Sequence, residues 1–167
     1  MDTLGDRFWQ IIDATVSRDY DAQLDALAEA LSKLSREDLL AFDADFHRAS
    51  RAAYRWGLWG AAYVINGGCS DDGFIDFRSW LIAQGKAVYD AALADPESLA
   101  DHIQEAFAEF EEIAYVPIEV FEKKYDEDWP GTGGSHGTEP DGKDWEEDEL
   151  DRLFPKLTAR VAELEEL

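Results

Sequence analysis

The stretch "SREDLLAFDADFHRASRAAYRW", residues 35–56, decides how the rest of the chain is read. Its apolar positions, Leu39, Phe42, Phe46, Ala49, Ala53 and Trp56, recur at intervals of three and four. That rhythm places them along one face of an α-helix, where a strand would need strict alternation. Ser35 followed three residues later by Asp38 supplies the start signal, a hydroxyl able to accept a free amide of the first turn. Arg48, Arg51 and Arg55 then fall opposite the apolar face, where pairing with acidic neighbours is expected.

Working outward, the same spacing recurs on both sides. Thr3 with Asp6 opens a first helix carrying Phe8, Ile11 and Ile12. Leu24, Leu27, Leu31 and Leu34 give a second. After residue 56, Gly57 is expected to break or bend the chain. A buried helix over "LWGAAYVIN" then ends at Gly67 or Gly68, where left-handed geometry carries little penalty. Ser70 caps a helix with Phe74, Phe77, Leu81 and Val88 inside, and Gly85 is expected to bend it. Asp95-Pro96 reads as N-cap and N1 of a helix with the stripe Leu99, Ile103, Phe107, Phe110 and Ile113. Pro117 is expected to end that segment, and Ile118, Phe121 and Tyr125 to form a short helix after it.

This patterning predicts an all-α single-domain bundle of about six to eight helices. Residues 1–125 are expected to form the helical domain. Residues 126–144, "DEDWPGTGGSHGTEPDGKD", read as a long acidic Gly/Pro-rich loop. Residues 145–167 read as an amphipathic C-terminal helix restarted at Pro155, its Leu150/Leu153/Leu157/Val161/Leu164 stripe returning to the bundle.

Composition narrows the function classes. Nine Phe, six Trp and six Tyr in 167 residues can fill one core. No apolar run approaches the ~18 residues of a membrane span. One cysteine fits a reducing compartment, and the N-terminus lacks a signal-peptide pattern, so a cytoplasmic location is expected. The formal net charge is −23, and it is uneven: residues 1–94 carry net −6 and residues 95–167 net −17. Such charge repels nucleic acid and anionic lipid, which excludes nucleic-acid binding and favours a basic protein partner. A generally acidic proteome would give the same composition.

One run looks built for a purpose. "WGLWGAAYVINGGCSDDGFIDFRSWLIAQGK", residues 56–86, resembles the signature of a bacterial domain-of-unknown-function family with a GGCSDDGF..FR.WLI..G centre. The likeness extends loosely from Phe8 to Tyr125, and Lys86 stands where many relatives would carry Arg. The resemblance implies a helical bacterial domain and is silent on chemistry.

Within this run Trp59, Tyr63, Asn66, Asp71, Asp72 and Arg78 are the candidate ligand-binding residues. The first three share a helical edge with a polar end, and Arg78 is a guanidinium between Phe77 and Trp80. A ligand carboxylate or phosphate could engage it; the structural alternative pairs it with Asp71 or Asp72. Cys69 precedes a helix N-terminus, where a thiol can be activated, but two following aspartates oppose a thiolate. It reads as an inert, buried cysteine. "GGCSDDG" lacks the Gly-Lys-Ser/Thr ending of a phosphate loop. Asp72 and Asp76 share a helical face and could hold a hard cation only with more oxygen ligands. His47, His102 and His136 are scattered without zinc spacing. No catalytic residue, metal or cofactor is assigned. Three readings stay open: an acidic interaction protein of immunity-inhibitor or nucleic-acid-mimic type, a small-molecule binder or enzyme, and a structural or oligomerising module.

Overall fold

A computed structural model describes residues 5–131 and 139–166. The described residues form one all-α domain: α1 (Asp6–Thr15), α2 (Tyr20–Ser32), α3 (Arg36–Ala52), α4 (Trp56–Asn66), α5 (Asp71–Ala83), α6 (Lys86–Ala94), α7 (Val116–Tyr125), the single turn α8 (Leu150–Leu153) and α9 (Pro155–Glu165). Short 3-10 turns cover Pro96–Asp101, Glu111–Tyr115 and Glu147–Glu149. Among the described residues no helix is long and apolar enough to cross a membrane.

The caps at three helix starts follow from the sequence. Ser35 accepts the Asp38 amide at 3.1 Å and Ser70 the Gly73 amide at 3.1 Å, each satisfying a donor that the first turn cannot. Asp95 does the same for Glu97, with Pro96 behind it. α1 starts at Asp6 behind Gly5, and Thr3 lies outside the described residues. At the start of α6 the cap is tertiary. Gly85, at φ 100°, breaks the chain between α5 and α6, and the Lys86 amide donates to Asp13 of α1 at 2.9 Å. A Cβ on Gly85 would lie 2.9 Å from that carboxylate oxygen.

Several boundaries differ from expectation. α3 ends at Ala52, ahead of Gly57, which lies in the first turn of α4. The break at residues 53–55 is stabilised from far along the chain: Trp56 N–H donates to the Asp141 carbonyl at 2.8 Å, and Asp141 N–H to the Tyr54 carbonyl at 3.0 Å. Part of the acidic loop thereby feeds the open backbone groups at the start of α4. The stripe from Leu99 to Ile113 is not one helix. Residues 96–101 and 111–115 are 3-10 turns, the chain between them is irregular, and Phe107 is half exposed. Pro117 does not end a helix but stands second in α7, in whose first turn its missing N–H has no role.

The core is continuous. Phe8 of α1 packs on Phe42 and Phe46 of α3, and Trp9 on Tyr89 of α6. α5 is the central helix: every residue from Phe77 to Ala83 is buried, Arg78 included. It packs against α1, α3, α4 and α6 and the 111–115 turn, while α9 covers α4 and the 96–101 turn. The last contact depends on Gly60, because a Cβ there would stand 2.7 Å from the Phe154 ring and 3.0 Å from the Trp145 indole nitrogen.

Candidate functional site

The motif run folds as two helices joined by a glycine stop and a serine start. Gly67 ends α4 at φ 68°, and Gly68 N–H returns to the Tyr63 carbonyl at 2.9 Å. That turn satisfies a C-terminal carbonyl. It delivers Cys69, Ser70 and the two aspartates to the N-terminal end of α5.

Arg78 is the largest fully buried side chain, 1% exposed. The expected partnership with Asp71 or Asp72 does not form. Among the described residues no carboxylate lies within salt-bridge distance of Arg78. Its Nη1 donates to the Ser50 carbonyl at 3.0 Å and its Nε to the Phe74 carbonyl at 3.3 Å. Its plane lies over the Tyr54 ring at 4.5 Å and the Phe74 ring at 4.8 Å. The physical reason is local geometry. Ser50 belongs to the last turn of α3, where its carbonyl has only a shared bond from the Ala53 amide at 3.2 Å and lies at the negative end of the helix dipole. A planar cation fits between that end and two ring faces better than a carboxylate would. Burial pulls the guanidinium below its ordinary pKa, the opposing influences of Tyr54 and Asp71 being smaller.

Asp71 is reached only indirectly. The Tyr54 hydroxyl donates to Asp71 Oδ1 at 3.2 Å, and burial, followed by this carboxylate, raises the Tyr54 phenol. Tyr54 therefore mediates between Arg78 and Asp71. Its aromatic type and position within a helical pattern gave no sign of that role. Asp72 is exposed in the first turn of α5.

The other candidates turn to different neighbours. Trp59 stacks between Trp56 and Phe74, with centroids 5.3 and 5.1 Å away, and donates to the Cys69 carbonyl at 2.9 Å. Tyr63 faces Trp145 at 5.6 Å, and its phenol is held above the ordinary range by a hydrogen bond to Glu147 and by burial. Asn66 forms a two-sided bond with residue 108: its Oδ1 accepts the Ala108 amide at 2.7 Å and its Nδ2 donates to the Ala108 carbonyl at 3.3 Å. This is how the irregular 102–110 segment is fastened. Each of these polar groups is engaged within the fold.

Cys69 is half-buried rather than fully buried. Burial, then Glu109 and Asp76, push its thiol up to about 12, so a thiolate is disfavoured at neutral pH. The basic stripe divides: Arg48 pairs with Asp45 at 2.8 Å, Arg55 donates to the carbonyls of Ala52 and Leu93, and Arg51 is exposed.

A site the sequence reading did not assemble is the acidic face beside Cys69. Asp76 of α5 lies within electrostatic reach of Glu111, Glu109, Asp72 and Glu112, and its carboxyl is pushed up to about 6, burial being the largest cause. Phe110 N–H donates to the Asp76 carbonyl at 3.1 Å, which brings the 109–112 acids against α5. Glu109, Glu111 and Glu112 fall within the stretch read as the Leu99–Ile113 stripe, and only the tertiary structure sets them on the Asp72/Asp76 edge. Among the described residues no three His, Cys, Asp or Glu side chains converge with metal-binding geometry. The arrangement concentrates negative potential without a coordination centre.

These features define a helical domain with a fully engaged aromatic core and a carboxylate-rich exterior. The chain belongs to the DUF4240 family, described as proteins of unknown function, whose model matches residues 1–123. The matched part ends within α7, so α8, α9 and the Asp141 bridge lie beyond it. No curated protein and no solved structure matches the chain.

Proposed function

We propose that this is a protein-interaction domain whose carboxylate faces bind a basic protein partner, in the manner of an inhibitor or a nucleic-acid mimic. The observation that carries the reading is the bond from the Phe110 amide to the Asp76 carbonyl at 3.1 Å, which holds Glu109, Glu111 and Glu112 against the Asp72/Asp76 edge of α5. Like charges gathered this closely oppose folding, and acidity serving solubility alone would be as effective spread out. A cationic surface docking there would relieve the repulsion and gain long-range steering. The engagement of Trp59, Tyr63, Asn66 and Arg78 within the fold weighs against a small-molecule site built from them. The single cysteine supports a reducing, cytoplasmic setting, and the GGCSDDGF motif supports a bacterial one.

The test compares wild type with the variant Asp72→Asn/Glu109→Gln/Glu111→Gln/Glu112→Gln as bait in affinity capture from bacterial cytoplasm, read by mass spectrometry. Proteins of strongly basic composition should be enriched on wild type and lost from the variant. Equal capture by both, or no enrichment of basic proteins, overturns the reading.

A further inference from the structure

Two grooves of similar volume flank α9, and their charge separates them. One, of about 740 Å³, lies against the 96–101 turn and sets Lys156 and Arg160 among its acids. The other, of about 730 Å³, runs between α4, α9 and the 146–151 segment. Its rim carries Glu146, Glu147, Asp148, Asp151 and Glu165, and among the described residues no lysine or arginine lines it. The nearby cations are engaged elsewhere: Arg152 pairs with Glu149 at 3.6 Å and Arg160 with Glu163 at 3.2 Å. The walls are apolar at Val64, Val161 and Ala162. Thr158 Oγ1, on the α9 wall, is buried and has no hydrogen-bond partner among the described residues.

We infer that this groove is a docking site for a basic amphipathic helix of a partner protein, an inference that rests on the interaction reading above and adds to the Asp76 face a second acidic surface. Two helices form the long walls, and a third helix can lie between such walls and place apolar side chains at i, i+3 or i+4, and i+7 on the floor. Its lysines and arginines then meet a rim with five carboxylates and no competing cation. The C-terminal end of α4 contributes as well, because Gly67 lines the groove and the carbonyls there carry the negative pole of the helix dipole. The groove joins the family-matched α4 to α9 outside the match, so both parts of the chain are needed to build it.

The probe is a labelled 14-residue peptide of leucine and lysine patterned for one apolar helical face, with a scrambled peptide of the same composition as control. Fluorescence anisotropy against the full chain reads both affinities. The patterned peptide should bind at least about tenfold tighter, since apolar burial is added to the shared charge term. Ala162→Trp fills the groove without changing net charge and should remove that tenfold preference. Asp148→Asn/Asp151→Asn/Glu165→Gln, all exposed positions, should weaken the patterned peptide by a similar factor and flatten its salt dependence. If Ala162→Trp fails to fold, backbone amide shifts of wild type answer instead: the patterned peptide should move Val64, Val161 and Ala162. Equal binding of both peptides, or shifts confined to the Asp76 face, sinks the groove while leaving the charge reading standing. Absence of binding by either peptide at low salt overturns both.

Discussion

Replacing Arg78 by alanine tests whether the most buried cation of the fold is a packing element or half of an ion pair. With a direct carboxylate partner, truncation would strand a buried charge and cost about 3–5 kcal/mol. Here no carboxylate is stranded. Asp71 keeps the Tyr54 hydroxyl, and the Ser50 carbonyl also accepts the Ala53 amide at 3.2 Å. What is lost is a long side chain filling a core position, two charge-assisted hydrogen bonds and contact with two ring faces. The opposing gain is release from the desolvation that already depresses the guanidinium. Large-to-small core substitutions cost about 2–5 kcal/mol, and with the desolvation relief the net loss is placed at about 3 kcal/mol. At about 2–4 °C per kcal/mol for a chain of this size, the Tm should fall by about 6–12 °C. Arg78→Met keeps most of the stem volume and removes the charge, so it should recover roughly half of that loss. Asp71→Asn still offers Tyr54 an acceptor and should cost less than about 1 kcal/mol. The assay is thermal unfolding followed by circular dichroism on the three variants. A loss for Asp71→Asn equal to that for Arg78→Ala would refute the packing account and restore the ion pair. So would an Arg78→Met variant as unstable as Arg78→Ala. A Tm for Arg78→Ala within about 2 °C of wild type would show that Arg78 holds nothing.

Gly60→Ala should lower stability by about 1–3 kcal/mol through the clash with Phe154 and Trp145, with a red shift in tryptophan emission as the C-terminal segment lifts from α4. An unshifted spectrum and Tm would show that the contact is loose. Asp76 has a folded pKa raised to about 6 from 3.8, so folding binds more protons in that window. Its contribution is most favourable below about pH 4 and is lost as pH rises through about 6. Asp76→Asn should therefore raise the Tm at pH 8 and leave it nearly unchanged at pH 4; a gain that grew toward acid would reverse the sign. Cys69 should react slowly with a thiol reagent at pH 8 and quickly once the chain is unfolded, its folded thiol being held at about 12. Rapid native labelling would contradict that.

The amino-acid order alone determined the all-α class and the helix starts at Ser35, Ser70 and Asp95. It also placed the next stop at Gly67 or Gly68, and the structure sets it at Gly67. Apolar spacing, caps and left-handed glycines act within one or two turns, so a reading of neighbours captures them. What only the tertiary structure decided are the partners of side chains whose contacts lie far along the chain. Asn66 meets Ala108 across 42 positions, Arg78 meets Ser50 across 28, and Trp145 donates to the Trp56 carbonyl across 89. The candidate residues Trp59, Tyr63 and Asn66 shared one expected helix and Arg78 lay on the next, yet each is satisfied by a different neighbour. The stripe from Leu99 to Ile113 failed as a helix for the same reason. Its residues Leu99, Ile103, Phe110 and Ile113 are buried by surfaces that 3-10 turns and an irregular segment fit, and the Asn66 bridge holds that backbone in place. Periodicity reports which side chains can share a face, while the partners of a buried polar group are set by which donors and acceptors the folded chain brings within reach.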